Sequence, residues 1–242
     1  MLDPTGSATR PSLSDSDALP VTAVVLAGGR SRRMGTDKAL LSVGGELLVT
    51  RVVRTLAAVC TQVIIVASDT QALVDIDLPD TVRVIADDVA FQGPLRGLAT
   101  ALAAADTPWV FAAGVDMPFL NAQIVRILWE ERAAAESRCP GRHVQVVMPV
   151  GVAGPEPLLS LYRADCLSTA LRVLAEGSRR IVDLCSRLDV VTVPLERLTS
   201  VDPELLSIFN VNTAEDLARA RSAAQTLELS ARRPDTEGTS GR

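Results

Sequence analysis

The residues best suited to chemistry sit in one stretch, Gly28-Gly29-Arg30-Ser31-Arg32-Arg33-Met34-Gly35-Thr36-Asp37-Lys38, directly after the apolar run Val24-Val25-Leu26-Ala27. Glycines at 28, 29 and 35 allow positive φ and a close approach of main chain to ligand, and successive peptide N–H groups can converge on an anion. Arg33 adds a planar fork of donors and Lys38 a compact point charge. Such a turn is shaped to hold phosphates. Neither common phosphate loop fits, however. The Gly-x-Gly-x-x-Gly spacing is absent, and the NTPase loop needs Ser or Thr after Gly-Lys, whereas Lys38 stands between Asp37 and Ala39.

Three further polar clusters follow apolar runs. Asp87 and Asp88 come after Val82-Arg83-Val84-Ile85 and before Phe91-Gln92-Gly93-Pro94-Leu95-Arg96-Gly97. A carboxylate there can bond a ribose or a base edge, and Gly93-Pro94 can start a helix with its N–H groups free, although a solvated acidic turn has the same composition. Asp116 ends the run Trp109–Val115 and is followed by Met117-Pro118. That placement suits Mg²⁺, which takes few carboxylates plus phosphate oxygens and water; a helix N-cap is the competing reading. Asn210 and Asn212 alternate in an extended segment, so both should face one side and could orient metal-bound water or an acceptor, while Thr213 and Asp216 have the spacing of a helix-start box.

Composition narrows the chemistry. With His143 alone and four cysteines lacking Cys-x-x-Cys spacing, neither a Ser-His-Asp arrangement, a zinc site nor a disulfide scaffold is indicated, and the thiols should be buried and inert. Carboxylates, fixed cations and a hard divalent ion remain. The net charge of −5 argues against a general nucleic-acid or anionic-membrane surface, so the local basic loop favours a small anionic ligand. No signal-peptide core precedes residue 21 and no run of about 18 apolar residues follows, which predicts a soluble cytoplasmic protein.

The elements that must position these residues alternate short β-branched runs with alanine- and leucine-rich segments, the pattern of βαβ units around a mostly parallel sheet. Strands are expected at 21–27, 62–67, 82–86 and 109–115, each covered on both faces, with a later pair at 144–149 and 189–194. A turn is expected at Gly44-Gly45, and helices at about 47–60, 95–105, 121–136, 163–176, 179–187 and 213–228. One α/β domain over 21–228 is expected between disordered tails, 1–20 and 229–242, that are rich in Ser, Thr, Pro and Gly.

The run Leu26-Ala27-Gly28-Gly29-x-Ser31-x-Arg33-Met34-Gly35-x-Asp37-Lys38 resembles the signature loop of molybdenum cofactor guanylyltransferases, within the larger group of nucleotidyltransferases that includes cytidylyltransferases and sugar-nucleotide pyrophosphorylases. Asp87 with Gly93-Pro94-Leu95-x-Gly97, Asp116-x-Pro118 and Asn210-x-Asn212 resemble further motifs of that family, in the same order. Val115 stands where cysteine is usual, a small hydrophobe for a small hydrophobe. The resemblance implies a three-layer, Rossmann-like α/β fold of the nucleotide-diphospho-sugar transferase type. It implies transfer of GMP from Mg-GTP to molybdenum-molybdopterin, with Mn²⁺ as a substitute for Mg²⁺. It assigns Leu26, Ala27, Gly28, Gly29, Lys38, Asp87 and Asp116 to GTP, Arg33, Lys38 and Asp116 to catalysis, Asp116 to the metal, and Asn210 and Asn212 to the second substrate. Glu156-Pro157-Leu158 resembles a segment near that substrate, and Arg179 and Arg180 are either phosphate ligands or a solvated helix start. A labile product implies transient contacts with other cofactor-biosynthesis proteins or acceptor enzymes. The rival readings are a relative using CTP, or a sugar or lactate phosphate acceptor, and a catalytically silent nucleotide-binding domain.

Overall fold

A strand apolar on both faces needs cover on both, and Val21–Leu26, interrupted only by the hydrogen-bonded Thr22, obtains it. The computed structural model describes residues 18–28, 37–87 and 93–231. In chain order these form β1 (Leu19–Leu26), β2 (Ser42–Val43), β3 (Glu46–Leu47), α1 (Leu48–Ala57), β4 (Cys60–Ala67), β5 (Val82–Ala86), α2 (Pro94–Ala104) and β6 (Trp109–Gly114). There follow α3 (Gln123–Arg138), β7 (Val146–Gly151), β8 (Gly154–Pro155), β9 (Leu159–Arg163), α4 (Cys166–Ala175), α5 (Ile181–Cys185), β10 (Val190–Pro194) and α6 (Ala214–Ala231).

The main sheet has the order β10-β7-β9-β6-β1-β4-β5, with β8 pairing β7. β1 lies inside it, parallel to β4 and to β6, and β4 is parallel to β5. β9 runs antiparallel to both β6 and β7, and β10 is again parallel to β7. The two-residue period of β1 separates two cores. Val21, Ala23 and Val25 face α1 and α3 through Val49, Val52, Val53, Leu56, Ile124 and Leu128. Val24 and Leu26 face α2, α4 and α5 through Leu95, Leu98, Leu102, Val173 and Leu184. Fully buried leucines such as Leu56, Leu98 and Leu128 each contribute about 1.5–3 kcal/mol by leaving water. α6 lies apart from these layers, against the β2–β3 hairpin, through Val43, Leu217, Ala220 and Ala224.

Three expectations change. β5 is an edge strand, half-buried to exposed along its length, because only β4 pairs with it. β9 occupies residues expected to be a loop and then a helix, so α4 begins at Cys166 and the strand pair β7–β10 joins the sheet through β9. α5 is half the expected length, spanning only Ile181–Cys185. Both tails fall outside the described residues except for 18–20 and the end of α6.

Layer closure depends on one glycine. A Cβ on Gly97 of α2 would sit 3.1 Å from Leu26 Cδ2 and 3.8 Å from Val66 Cγ1, so the helix reaches the sheet because that position carries no side chain. Gly97→Val should therefore destabilise by about 1–3 kcal/mol through overpacking. A thermal melt followed by circular dichroism would show a drop of about 2–4 °C per kcal/mol, and an unchanged melting temperature would refute this packing account.

Candidate active site

Ligands of open parallel sheets collect beyond the carboxyl ends of the strands, where helix and loop starts leave polar groups available. In this fold that edge carries Leu26 of β1, the residue Ser68 after β4, Asp87 after β5 and Asp116 after β6.

Lys38 begins a short 3₁₀ turn, Lys38–Leu40, whose start is capped by Asp37: its Oδ1 accepts the Ala39 N–H at 3.0 Å. Buried Ala39 anchors the turn against the core, which leaves the Lys38 side chain directed at Asp116. Its Nζ donates to Asp116 Oδ2 at 2.8 Å and to Asn212 Oδ1 at 2.7 Å. The two ion-paired side chains are each about one-fifth exposed, at 21% and 20%. Three residues far apart in sequence thus meet at one point.

Each member is held from behind. The position of Asp116 depends on Gly114, where a Cβ would lie 2.5 Å from Asp116 Oδ1; the carboxylate folds back over the strand end into space that any side chain would fill. The Asp116 carbonyl accepts the Val211 N–H at 2.9 Å, tying the asparagine segment to the end of β6. Beyond Asn212 the helix-start box is real: Asp216 Oδ2 accepts the N–H groups of Asn212 and Thr213 at 3.1 and 3.0 Å, and Thr213 Oγ1 accepts the Asp216 N–H at 3.1 Å. The Thr213 hydroxyl first, then the Asn212 amide, hold the Asp216 carboxyl below its usual range. Capping and site-building are therefore the same interaction.

Other expected contacts are placed differently. The Ala27 N–H donates to the Val66 carbonyl at 2.8 Å, and the Leu26 carbonyl accepts from Val115 at 3.2 Å, so those groups join β1 to its neighbours and are not open to a nucleotide. Gly28 is exposed and does not adopt positive φ; a Cβ there would make ordinary contact with Ser68 Oγ at 3.5 Å. Among the described residues nothing demands that this position lack a side chain. Gly29 and Arg33 lie outside the described residues.

The Asp87 N–H donates to the Ala67 carbonyl at 2.9 Å, and its carboxylate faces Arg96 of α2, with Nε 3.9 Å from Oδ1. Asp87 and Asp116 do not meet. The strands they follow are three places apart in the sheet, a separation of about 14 Å at the usual strand spacing. The start of α2 is not open either, because the Leu95 N–H donates to the Arg179 carbonyl at 3.3 Å and Gly93, at φ 86°, packs against Arg179 Cβ. Arg179 is thus a structural neighbour of that turn. Asn210 also departs from expectation: its Nδ2 donates to the Ile208 carbonyl at 3.0 Å, a local bond, while Asn212 alone joins Lys38.

Sequence reasoning passed over Ser68 and gave Glu156 little weight. Ser68 could have been found as the first polar residue beyond β4. Glu156 opens the loop into β9, and burial pushes its carboxyl above the usual range. Its carbonyl accepts from Ser160 Oγ and that of Pro157 from the Tyr162 hydroxyl, each at 2.7 Å, so two buried hydroxyls hold this loop. Leu158 of the same loop lies beside Gly114, with Cδ1 3.7 Å from where a Cβ would stand. The thiols of Cys60, Cys166 and Cys185 are buried and pushed up to about 12, 12 and 11, as inert cysteines should be, whereas Cys139 is exposed. Among the described residues no group of three or more His, Cys, Asp or Glu could hold a metal. A single hard carboxylate, with Oδ1 free of hydrogen bonds from the described residues, fits a cation that takes most of its ligands from phosphate and water. Among the described residues, no helix is long and apolar enough to cross a membrane.

Residues 23–191 match the family model described as MobA-like NTP transferase domain. The chain is 33% identical over 212 residues to the molybdenum cofactor guanylyltransferase of Desulfosudis oleivorans, covering 87% of this chain and 98% of that protein. Its fold is similar to the solved structure of molybdopterin-guanine dinucleotide biosynthesis protein A from Archaeoglobus fulgidus, with a TM-score of 0.72, 28% identity, and coverage of 85% and 99% of the two chains. The 2-C-methyl-D-erythritol 4-phosphate cytidylyltransferase of Thermus thermophilus shares the fold at a TM-score of 0.57 and 17% identity, covering 84% of this chain and 98% of that one. The architecture is therefore the nucleotide-diphospho-sugar transferase fold.

The dependence of Asp116 on Gly114 has a direct test. Gly114→Ala should displace the carboxylate and lower turnover by about 10²-fold, the loss typical of one misplaced catalytic group, while the melting temperature changes little. Turnover near that of the unaltered protein would show that Asp116 does not work from this position.

Proposed function

The chain belongs to the MobA-like NTP transferase family, and from that premise we propose that it transfers GMP from Mg-GTP to the terminal phosphate of molybdenum-molybdopterin, forming the guanine dinucleotide cofactor and pyrophosphate. The observation that carries the reading is the meeting of Lys38, Asp116 and Asn212 beyond the carboxyl ends of β1 and β6. A cation donor, a carboxylate and an amide oxygen at one point suit the handling of a metal-bound triphosphate. They do not suit acyl transfer or redox chemistry.

An oxygen of the acceptor phosphate attacks the α-phosphorus of GTP, the α–β phosphoanhydride bond breaks, and its electron pair leaves with pyrophosphate. A phosphate monoester is largely dianionic at neutral pH, so no general base is needed. What remains is alignment and charge neutralisation. Lys38 balances charge on the departing pyrophosphate, and Arg33 is assigned the same task. Asp116 holds the divalent cation, and Asn212 orients Lys38. Mg²⁺, or Mn²⁺ in its place, would neutralise negative charge on the phosphates when bound there. The separation of Asp87 from Asp116 supports a nucleotide laid across β1, β4 and β5, with its sugar or base toward Asp87 and its phosphates toward Lys38. The acceptor then approaches from the β9 side, where Glu156 lies. The product passes to other proteins by transient contact.

A nucleotide panel tests the assignment. With molybdopterin present, pyrophosphate should form from GTP and at most weakly from CTP, ATP or UTP; equal or faster release from CTP would replace guanine with cytosine in the reading. Lys38→Ala should lower kcat by about 10²-fold or more, as loss of one preorganised electrostatic donor does. Asp116→Asn should weaken metal-dependent turnover and shift the dependence of rate on divalent cation while leaving the thermal melt in place. A variant that kept that dependence unchanged would remove Asp116 from the metal.

A further inference from the structure

We propose that Lys38 acts as a gate on the metal-binding carboxylate: without nucleotide its ammonium occupies Asp116, and a triphosphate must draw it away before a divalent cation can bind there well. The proposal rests on the functional reading above and adds to it the order in which the site fills.

Lys38 Nζ bridges Asp116 Oδ2 and Asn212 Oδ1 at 2.8 and 2.7 Å, so in the chain by itself a full positive charge stands where a second cation would have to approach. The contact is not two long surface side chains meeting by chance. The lysine starts from a turn fixed by the Asp37 cap, and the carboxylate is folded into the space left by Gly114. The amide that completes the bridge sits on a segment pinned by Val211 to the Asp116 carbonyl and by Asp216 to the helix start. The ammonium is thus held in place on Oδ2, where its charge opposes a cation at either oxygen of the same carboxylate.

A nucleoside triphosphate offers Lys38 a stronger partner than one carboxylate, because several phosphate oxygens carry charge together. Moving the ammonium onto phosphate frees Oδ2 and reverses the local field at Asp116. Linkage then requires reciprocity: the factor by which nucleotide tightens the cation is the factor by which cation tightens the nucleotide. The gate thus favours arrival as a metal–nucleotide complex and leaves the carboxylate closed to free cations.

The test measures binding of Mn²⁺ to the full chain from the loss of the free-ion signal in electron paramagnetic resonance. It is run with and without α,β-methylene-GTP, whose bridging carbon prevents transfer. Without nucleotide, Lys38→Met should bind Mn²⁺ about 5- to 150-fold more tightly than the unaltered protein, the usual span of a coupling between two ligands. Adding Asp116→Asn to it should abolish that gain. With the GTP analogue present the order should invert, the unaltered protein binding more tightly than Lys38→Met. Asn212→Ala, an exposed position that removes one of the two anchors of Nζ, should give a smaller gain without nucleotide and carries the test if Lys38→Met fails to fold. Equal or weaker nucleotide-free Mn²⁺ binding in both variants overturns the gate while pyrophosphate release from GTP still stands for the reaction. If the unaltered protein releases no pyrophosphate from GTP, the functional reading falls and the gate falls with it.

Discussion

The bond network around one ammonium group, Lys38 Nζ between Asp116 and Asn212, is the constraint from which the rest of the site takes its form. A lysine, an aspartate and an asparagine have no tendency to associate in water, where an exposed pair contributes about 0–1 kcal/mol. They meet because β1 and β6 are adjacent parallel strands, and because the chain returns after β10 to lay residues 210–213 across the end of β6. The fold supplies the proximity, and the side chains make use of it.

Parallel strands covered on both faces leave little main chain free, and that limits what the phosphate loop can do before Gly28. The Leu26 carbonyl and the Ala27 N–H are consumed in joining β1 to its neighbours. A ligand at this edge therefore meets what lies beyond the strand end, the charge of Lys38 included. The antiparallel insertion of β9 has a comparable effect on the other flank. By reversing direction next to β6 it brings the start of a strand, and the loop before it, to the same edge as Asp116. A purely parallel arrangement would have put only a strand end there.

The parts of this arrangement that were legible in the sequence are those carried by local pattern. The runs ending at Leu26, Ala86 and Gly114 are largely apolar and reach Gly28, Asp87 and Asp116 within two residues, so strand, strand end and candidate residue could be read together. The Thr213–Asp216 box was legible for the same reason, since its partners are three residues apart. What could not be read were choices settled by distant neighbours. Leu159-Ser160-Leu161-Tyr162-Arg163 becomes a strand because β6 and β7 flank it, and five residues give too little periodicity to announce that. The exposure of β5 follows from its place at the edge, not from its residues. The Leu95 N–H is closed by the Arg179 carbonyl, and Asn210 turns to Ile208 while Asn212 reaches Lys38; alternation alone predicted the same side for both asparagines.

A phosphate acceptor that is already nucleophilic shifts the whole demand of the reaction from proton transfer to placement, and the structure is built accordingly. Electrostatic stabilisation works only where charges and dipoles are held before the reaction begins, since reorganising them costs what they would supply. Among the described residues around Asp116, Gly114 is fixed by the β6 ladder, Leu158 beside it by a loop that Ser160 and Tyr162 hold through buried hydroxyls, and the Asn212 main chain by the helix cap. Those hydroxyls are fully desolvated and would be costly if left unpaired, so the loop they hold cannot shift without exposing that cost. The rigidity around the carboxylate therefore follows from the same accounting of buried polar groups that closes the core, and Lys38 is left as the partner that a ligand can displace.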